Sequence, residues 1–255
     1  MHTQLKLVIL LTAVAAFASC GGGSSSSACA PFRILNGEVC DDSISAVVRI
    51  NTFDSLCTGV IISPNELMTA AHCIPRIFRG IDIIASNGDR TYTNQAFSPS
   101  VWFSTRHSSA DVVVAAIDPA FVERNGIEPI RASAAISLDD LIGRNIIVAG
   151  YGSVGANVQN SSPHPISTFM TVTAVGDGTF IAANTESQRT GNACPGDSGG
   201  PAMMRNSGGE YVVVGIVSRG AFSRDCDSDP FTVFTFMGSD PVIGLFNHFG
   251  YDLFF

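Results

Sequence analysis

Gly196-Asp197-Ser198-Gly199-Gly200-Pro201 is the stretch on which the reading of this chain turns. A serine hydroxyl is a weak nucleophile at its free pKa, so it reacts only beside a base and in a loop that leaves its oxygen exposed. The flanking glycines let the backbone bend sharply and let another chain come close. They also leave backbone N–H groups able to point at a developing oxyanion. The bland alternative is a Gly-rich turn between strands, and Pro201 with its glycines disfavours a helix after Ser198. Ser198 is therefore a candidate nucleophile that needs a base from elsewhere in the chain.

Thr69-Ala70-Ala71-His72-Cys73 offers that base. A lone histidine is more often structural, but Cys73 can bond to Cys57, which would close a loop and hold the backbone of His72 in place. His2 lies in the leader, and His107, His164 and His248 sit in polar or terminal stretches and read as surface residues. Asp111 opens the apolar run Val112-Val113-Val114-Ala115-Ala116-Ile117. An acid at the mouth of a buried strand is commonly a turn or cap residue. It is also the acid best placed to be partly buried, hydrogen-bonded and ionised, as a histidine-orienting carboxylate must be.

Working outward, the chain has 255 residues, 45% hydrophobic and only 14% charged, with 25 Gly. That suits one large all-β unit or two small domains made of short strands and tight turns. Period-2 alternation and β-rich runs predict strands at 45–50, 58–62, 67–69, 81–85, 112–117, 146–149, 168–175, 180–183, 201–204, 211–217 and 232–236. Turn clusters separate them, and 241–248 reads as one short terminal helix. Periodicity alone leaves sandwich and barrel both open. The net charge of −8 provides no basic face and argues against nucleic acid as a partner. No CxxC pair or metal-type Cys/His spacing occurs, so a zinc site is not expected, and the sequence calls for no cofactor.

The N-terminus reads as an export signal. Lys6 gives it a positive start, 7–17 is apolar but too short to span a bilayer comfortably, and small residues follow. Phe17-Ala18-Ser19-Cys20 resembles a bacterial lipobox, with lipid on Cys20. A plain signal peptide cut after Ala18 or Ser19 is the alternative. Residues 21–27, GGGSSSS, have the composition of a flexible tether. The cysteines, at 20, 29, 40, 57, 73, 194 and 226, are odd in number. With Cys20 lipidated, six remain for three disulfides in an oxidising compartment.

Taken together, TAAHC, the Asp-led apolar run and GDSGGP, in the order His, Asp, Ser, resemble the trypsin/chymotrypsin family from residue 34 to near the C-terminus. Ala149-Gly150-Tyr151-Gly152 is similar to that family's Gly-Trp-Gly segment, and Gly215-Ile216-Val217-Ser218-Arg219-Gly220 to its Gly-Ile-Val-Ser-Trp-Gly strand. The resemblance implies an all-β fold of two six-stranded antiparallel β-barrels with a short C-terminal helix and the active site between the barrels. With the export signal, it divides the chain into a signal peptide at 1–19, a lipid-anchored tether and activation peptide at 20–33, and barrels at 34–140 and 141–255. The mechanism likewise comes by resemblance: Ser198 attacks a peptide carbonyl, His72 moves the proton, Asp111 orients His72, and the amides of Gly196 and Ser198 form the oxyanion hole.

The same resemblance implies the bridges Cys57–Cys73 and Cys194–Cys226, and Cys29–Cys40 follows by elimination and proximity. Arg33-Ile34-Leu35-Asn36-Gly37 resembles the family's activation junction, with a cut after Arg33 and the new amine of Ile34 pairing with Asp197. Several positions depart from the family pattern. Asn192 stands where trypsin-like enzymes carry an aspartate, Arg219 replaces a tryptophan, and Thr232 falls where a glycine often opens the pocket floor. With Ser218 and Gly220 completing the substrate pocket, these departures point to an uncharged, apolar P1 residue. The expected partners are a protein or peptide substrate and an activating protease, with the membrane reached only through lipid on Cys20. Two other readings compete: a protease-fold binding module without catalysis, and a different serine hydrolase such as an esterase. An α/β-hydrolase would place its histidine after the serine, the reverse of the order here.

Overall fold

The computed structural model describes residues 45–52, 55–75, 77–153, 163–184, 192–220 and 231–250. Cys20, Cys29, Arg33, Ile34, Cys40 and Cys226 lie outside the described residues, so the expectations attached to them are not addressed by the fold.

The first half of the chain forms seven antiparallel strands: β1 (Val47–Asn51), β2 (Leu56–Ser63), β3 (Glu66–Thr69), β4 (Ile81–Ile84), β5 (Arg90–Thr93), β6 (Ala96–Phe97) and β7 (Val113–Ala116). Their order is β5-β4-β1-β2-β3-β7-β6, a nearly closed barrel. β2 is flanked by β1 and β3 and buried along six consecutive residues, polar Thr58 among them. Two helices, α1 (Ser100–Thr105) and α2 (Pro119–Arg124), interrupt and follow this half.

The second half supplies β8 (Asn145–Gly150), β9 (Ile166–Gly176), β10 (Thr179–Ala183), β11 (Pro201–Arg205), β12 (Tyr211–Gly220) and β13 (Thr232–Phe236). They close into a six-stranded antiparallel barrel, β10-β13-β12-β11-β8-β9. β10 alternates between buried and half-buried residues, as expected of a wall with one wetter face. Inside, Phe180 and Phe234 are fully buried and stacked, with ring centroids 4.8 Å apart.

Helix α3 (Asp240–Phe249) covers the expected terminal helix and ends on Gly250 in the left-handed conformation. Its Val242, Leu245 and Phe246 join the apolar cluster that contains Trp102 and Phe121 of the first half. The end of the chain therefore straps back across the earlier barrel, and Ser239 Oγ donates to the Ser109 carbonyl at 2.9 Å. The two-barrel expectation holds, with seven strands in place of six in the first barrel because short, polar β5 and two-residue β6 extend its edges.

Candidate active site

His72 is placed by the end of β3. After Thr69 the chain passes through buried Ala70 and Ala71 into a 3-10 turn, Ala71–Cys73, that turns the imidazole outward. Small side chains allow that tight packing, and the Cys57–Cys73 disulfide ties the turn to β2. Cys57, Cys73 and His72 bring three ligand-type atoms within 4.8 Å of one another, but the two sulfurs are bonded together and offer no thiolate for a metal.

Asp111 lies between a 3-10 turn, Ser108–Ala110, and β7, and is 2% exposed. A buried carboxylate requires donors, and three reach it. The backbone N–H of His72 donates to Oδ1 at 2.9 Å, His72 Nδ1 lies 2.7 Å from Oδ2, and the Ser218 hydroxyl donates to Oδ2 at 2.6 Å. The two contacts from one histidine fix both the position and the plane of its ring. With Nδ1 donating to Asp111, Nε2 is left to accept a proton. Thr235 Oγ1 on β13 donates to the carbonyls of Ser108 (2.6 Å) and Asp111 (3.1 Å), so the second barrel clamps the Asp111 turn of the first.

Ser198 sits in the turn between Cys194 and β11. Gly196 and Gly199 have φ of +104° and +84°, a region that side chains rarely enter. At Gly199 a Cβ would also strike Thr69 and the Thr58 carbonyl. The turn is pinned by Asp197 N–H to Cys194 O (2.9 Å), Gly200 N–H to Asp197 O (2.8 Å) and Gly199 N–H to Val217 O (2.8 Å). Among the described residues the N–H groups of Gly196 and Ser198 donate to no protein acceptor, so both remain available to an oxygen beside Ser198.

Thr58 of β2 crosses between the barrels to the same turn. Its N–H donates to the Ser198 carbonyl at 2.8 Å, its hydroxyl donates to the Gly196 carbonyl at 2.8 Å, and the Tyr151 N–H donates to that hydroxyl at 2.9 Å. Neither Thr58 nor the clamping role of Thr235 was foreseen from sequence. Ser218 was expected in the substrate pocket, and its hydroxyl bonds to Asp111.

Asp197 turns inward, away from Ser198. Its Oδ1 accepts the Gly152 N–H and its Oδ2 the Cys194 N–H, each at 2.8 Å. The residue as a whole is half-buried, but the carboxylate presses against Gly150 and Gly152 so closely that neither has room for a Cβ. Burial pushes its pKa up from 3.8 to about 6, against the smaller opposing effect of the Cys194 and Gly152 N–H bonds. No cation pairs with it among the described residues.

His72, Asp111, Ser198, Ser218 and Gly220 line one cleft of about 430 Å³, with Trp102, Arg106, Ala193 and Arg219. Ser198 and His72 share no hydrogen bond there, a contact that in unliganded sites often tightens only when substrate arrives. Cys194 is disulfide-bonded, and its expected partner, Cys226, lies outside the described residues. Thr232 is fully buried behind the cleft wall, where its Oγ1 accepts the Ala193 N–H at 3.0 Å. Asn192 is half-buried next to Ala193.

The chain is similar to known proteases along most of its length. It is 28% identical to trypsin delta of Drosophila melanogaster over 85% of this chain and 90% of that protein. It is 26% identical to a venom serine protease of Polistes dominula over 78% and 79% of the two chains. An uncharacterized peptidase of Corynebacterium glutamicum is 26% identical over 89% of this chain and 74% of its own length. The family model described as Trypsin matches residues 34–237, so this chain belongs to the trypsin family and is a serine protease.

Proposed function

We propose that Ser198, His72 and Asp111 are the nucleophile, general base and orienting acid of this protease. The observation that carries the reading is the double grip of Asp111 on His72, at Nδ1 and at the backbone N–H, in a cleft shared with Ser198. In this mechanism His72 takes the Ser198 proton as Oγ attacks the scissile carbonyl. The oxyanion is met by the Gly196 and Ser198 amides, and His72 then returns the proton to the leaving amine. Water releases the acyl-enzyme by the same path. The substrate is a protein or peptide. A serine-directed phosphonate should label the protein, and casein hydrolysis should fall by a factor of about 10⁴ or more in Ser198→Ala. Unlabelled protein, or casein turnover unaffected by that substitution, would exclude the reading.

The protease is made as a precursor cut after Arg33, and the new Ile34 amine pairs with Asp197. The inward-facing, cation-free carboxylate of Asp197 supports this pairing. The pocket takes an uncharged, apolar P1 side chain, because Asn192 supplies no anion for Arg or Lys and a cation buried unpaired costs several kcal/mol. Thr232, buried behind Ala193 of the cleft wall, would limit the depth of the pocket and favour small and medium side chains. The protein is exported by residues 1–19 and tethered by 20–33, with lipid on Cys20. Among the described residues no helix is long and apolar enough to cross a membrane.

A further inference from the structure

The cleft differs in charge from the molecule that contains it. The chain carries a net charge of −8, yet the described residues lining the cleft include two arginines, Arg106 and Arg219, and one acid, Asp111. Asp111 is buried and already committed to His72 and Ser218. Arg106 and Arg219 are exposed, and among the described residues neither forms an ion pair.

Both arginines are held by the fold. Arg106 caps α1 in the left-handed conformation, with φ of 53° and its N–H on the Trp102 carbonyl. Its guanidinium lies over the Trp102 ring, 5.0 Å from the centroid, a stacking that limits its freedom before any substrate arrives. Arg219 is set by a bulge in β12. The register against β13 shifts between Val217 and Arg219, which turns Ser218 inward onto Asp111 and leaves Arg219 outward. The pairing of β12 with β11 ends at Ile216, while β13 continues along the other edge to Gly220. Ser218-Arg219-Gly220 therefore presents an open strand edge to the cleft, where an extended chain can add as one more strand.

We infer that Arg106 and Arg219 select substrates with acidic residues among the few positions just before the scissile bond. This rests on the protease reading above and extends it from the pocket to the flanking chain. An acidic side chain laid along the Ser218–Gly220 edge meets two guanidinium groups, one from each half of the chain, and among the described lining residues no carboxylate but the committed Asp111. Each contact is solvent-accessible, so each is worth only a few-fold in kcat/KM, about tenfold for the pair, and is weakened by salt.

The test uses the full chain, cut after Arg33 by an arginine-directed protease, on matched fluorogenic peptides. P1 is fixed as Leu, and Glu, Gln or Lys is placed at each of the three positions before it. The expected result is a Glu-over-Gln preference of about tenfold at the best position and discrimination against Lys, both shrinking at high salt. In the R106Q/R219Q double variant the Glu-to-Gln ratio falls to about one, and Arg106→Lys with Arg219→Lys keeps part of it. If the Gln variant does not fold, the salt dependence of the ratio in the unmodified enzyme decides. Ser198-dependent cleavage that ignores charge, favours Lys, or keeps its Glu preference in the Gln variant overturns this inference alone. Ser198-dependent casein hydrolysis without cleavage of any of these peptides overturns the apolar P1 reading and this inference, and absence of Ser198-dependent casein hydrolysis overturns the catalytic reading of Ser198.

Discussion

At the scale of single residues, Thr58 links the Ser198 turn to the rest of the site. Its hydroxyl is fully buried and joins the Gly196 carbonyl to the Tyr151 N–H, partners 138 and 93 residues along the chain. Thr58→Val keeps the branched shape and removes both bonds, so a buried carbonyl and N–H are left unpaired at a cost of about 1–3 kcal/mol. Urea melts should show that loss. The turnover number should fall more than KM rises, because the turn that aims the Gly196 and Ser198 amides loosens. Thr58→Ser should recover most of both, and a Val variant as stable and active as the parent would make the two bonds immaterial. Ser198 and His72 were legible in sequence because their neighbours are unusual: glycines that only a strained turn requires, and two alanines followed by a cysteine. Thr58, Ser108 and Thr235 were not legible, since a hydroxyl in a strand or turn is ordinary and its partner is distant in sequence.

At the scale of elements, every strand expected from apolar patterning is present, with ends shifted by a few residues. What escaped was short or polar. β5, of sequence RTYT, has a largely exposed burial pattern and pairs only at the edge against β4. α1 and α2 have six residues each, too few to establish a helical period. The second barrel depends on its closure around Phe180, whose ring stacks on Phe234 and fills the space above Gly215. Phe180→Ala opens a cavity that neither partner can collapse into, and should destabilise the fold by about 3–5 kcal/mol. Thermal unfolding would measure it. A change well under about 1 kcal/mol would mean that β10 is not structurally required for closure.

At the scale of the molecule, the proposed cut after Arg33 would couple the chain's processing to its stability through Asp197. Its folded pKa is raised, so it favours folding while protonated: that contribution is full below the ordinary 3.8 and is lost as pH rises through about 6. The loss amounts to at most about 3 kcal/mol. An amine brought to Asp197 by cutting after Arg33 would lower the pKa and remove the loss. The uncut Arg33→Gln protein should therefore lose melting temperature as pH rises from 3.8 to about 6, relative to the cut form, and should show little activity. Matching pH profiles for the two forms, or full activity in Arg33→Gln, would rule out the pairing. The division of the site between barrels has one further effect, on timing. His72 and Asp111, the proposed base and acid, lie in the first half of the chain and Ser198, the proposed nucleophile, in the second, and the Asp111 turn is clamped only when Thr235 of β13, the last described strand, has docked. A chain that stops short of β13 should therefore leave the Asp111 turn unclamped and its cutting edge unassembled.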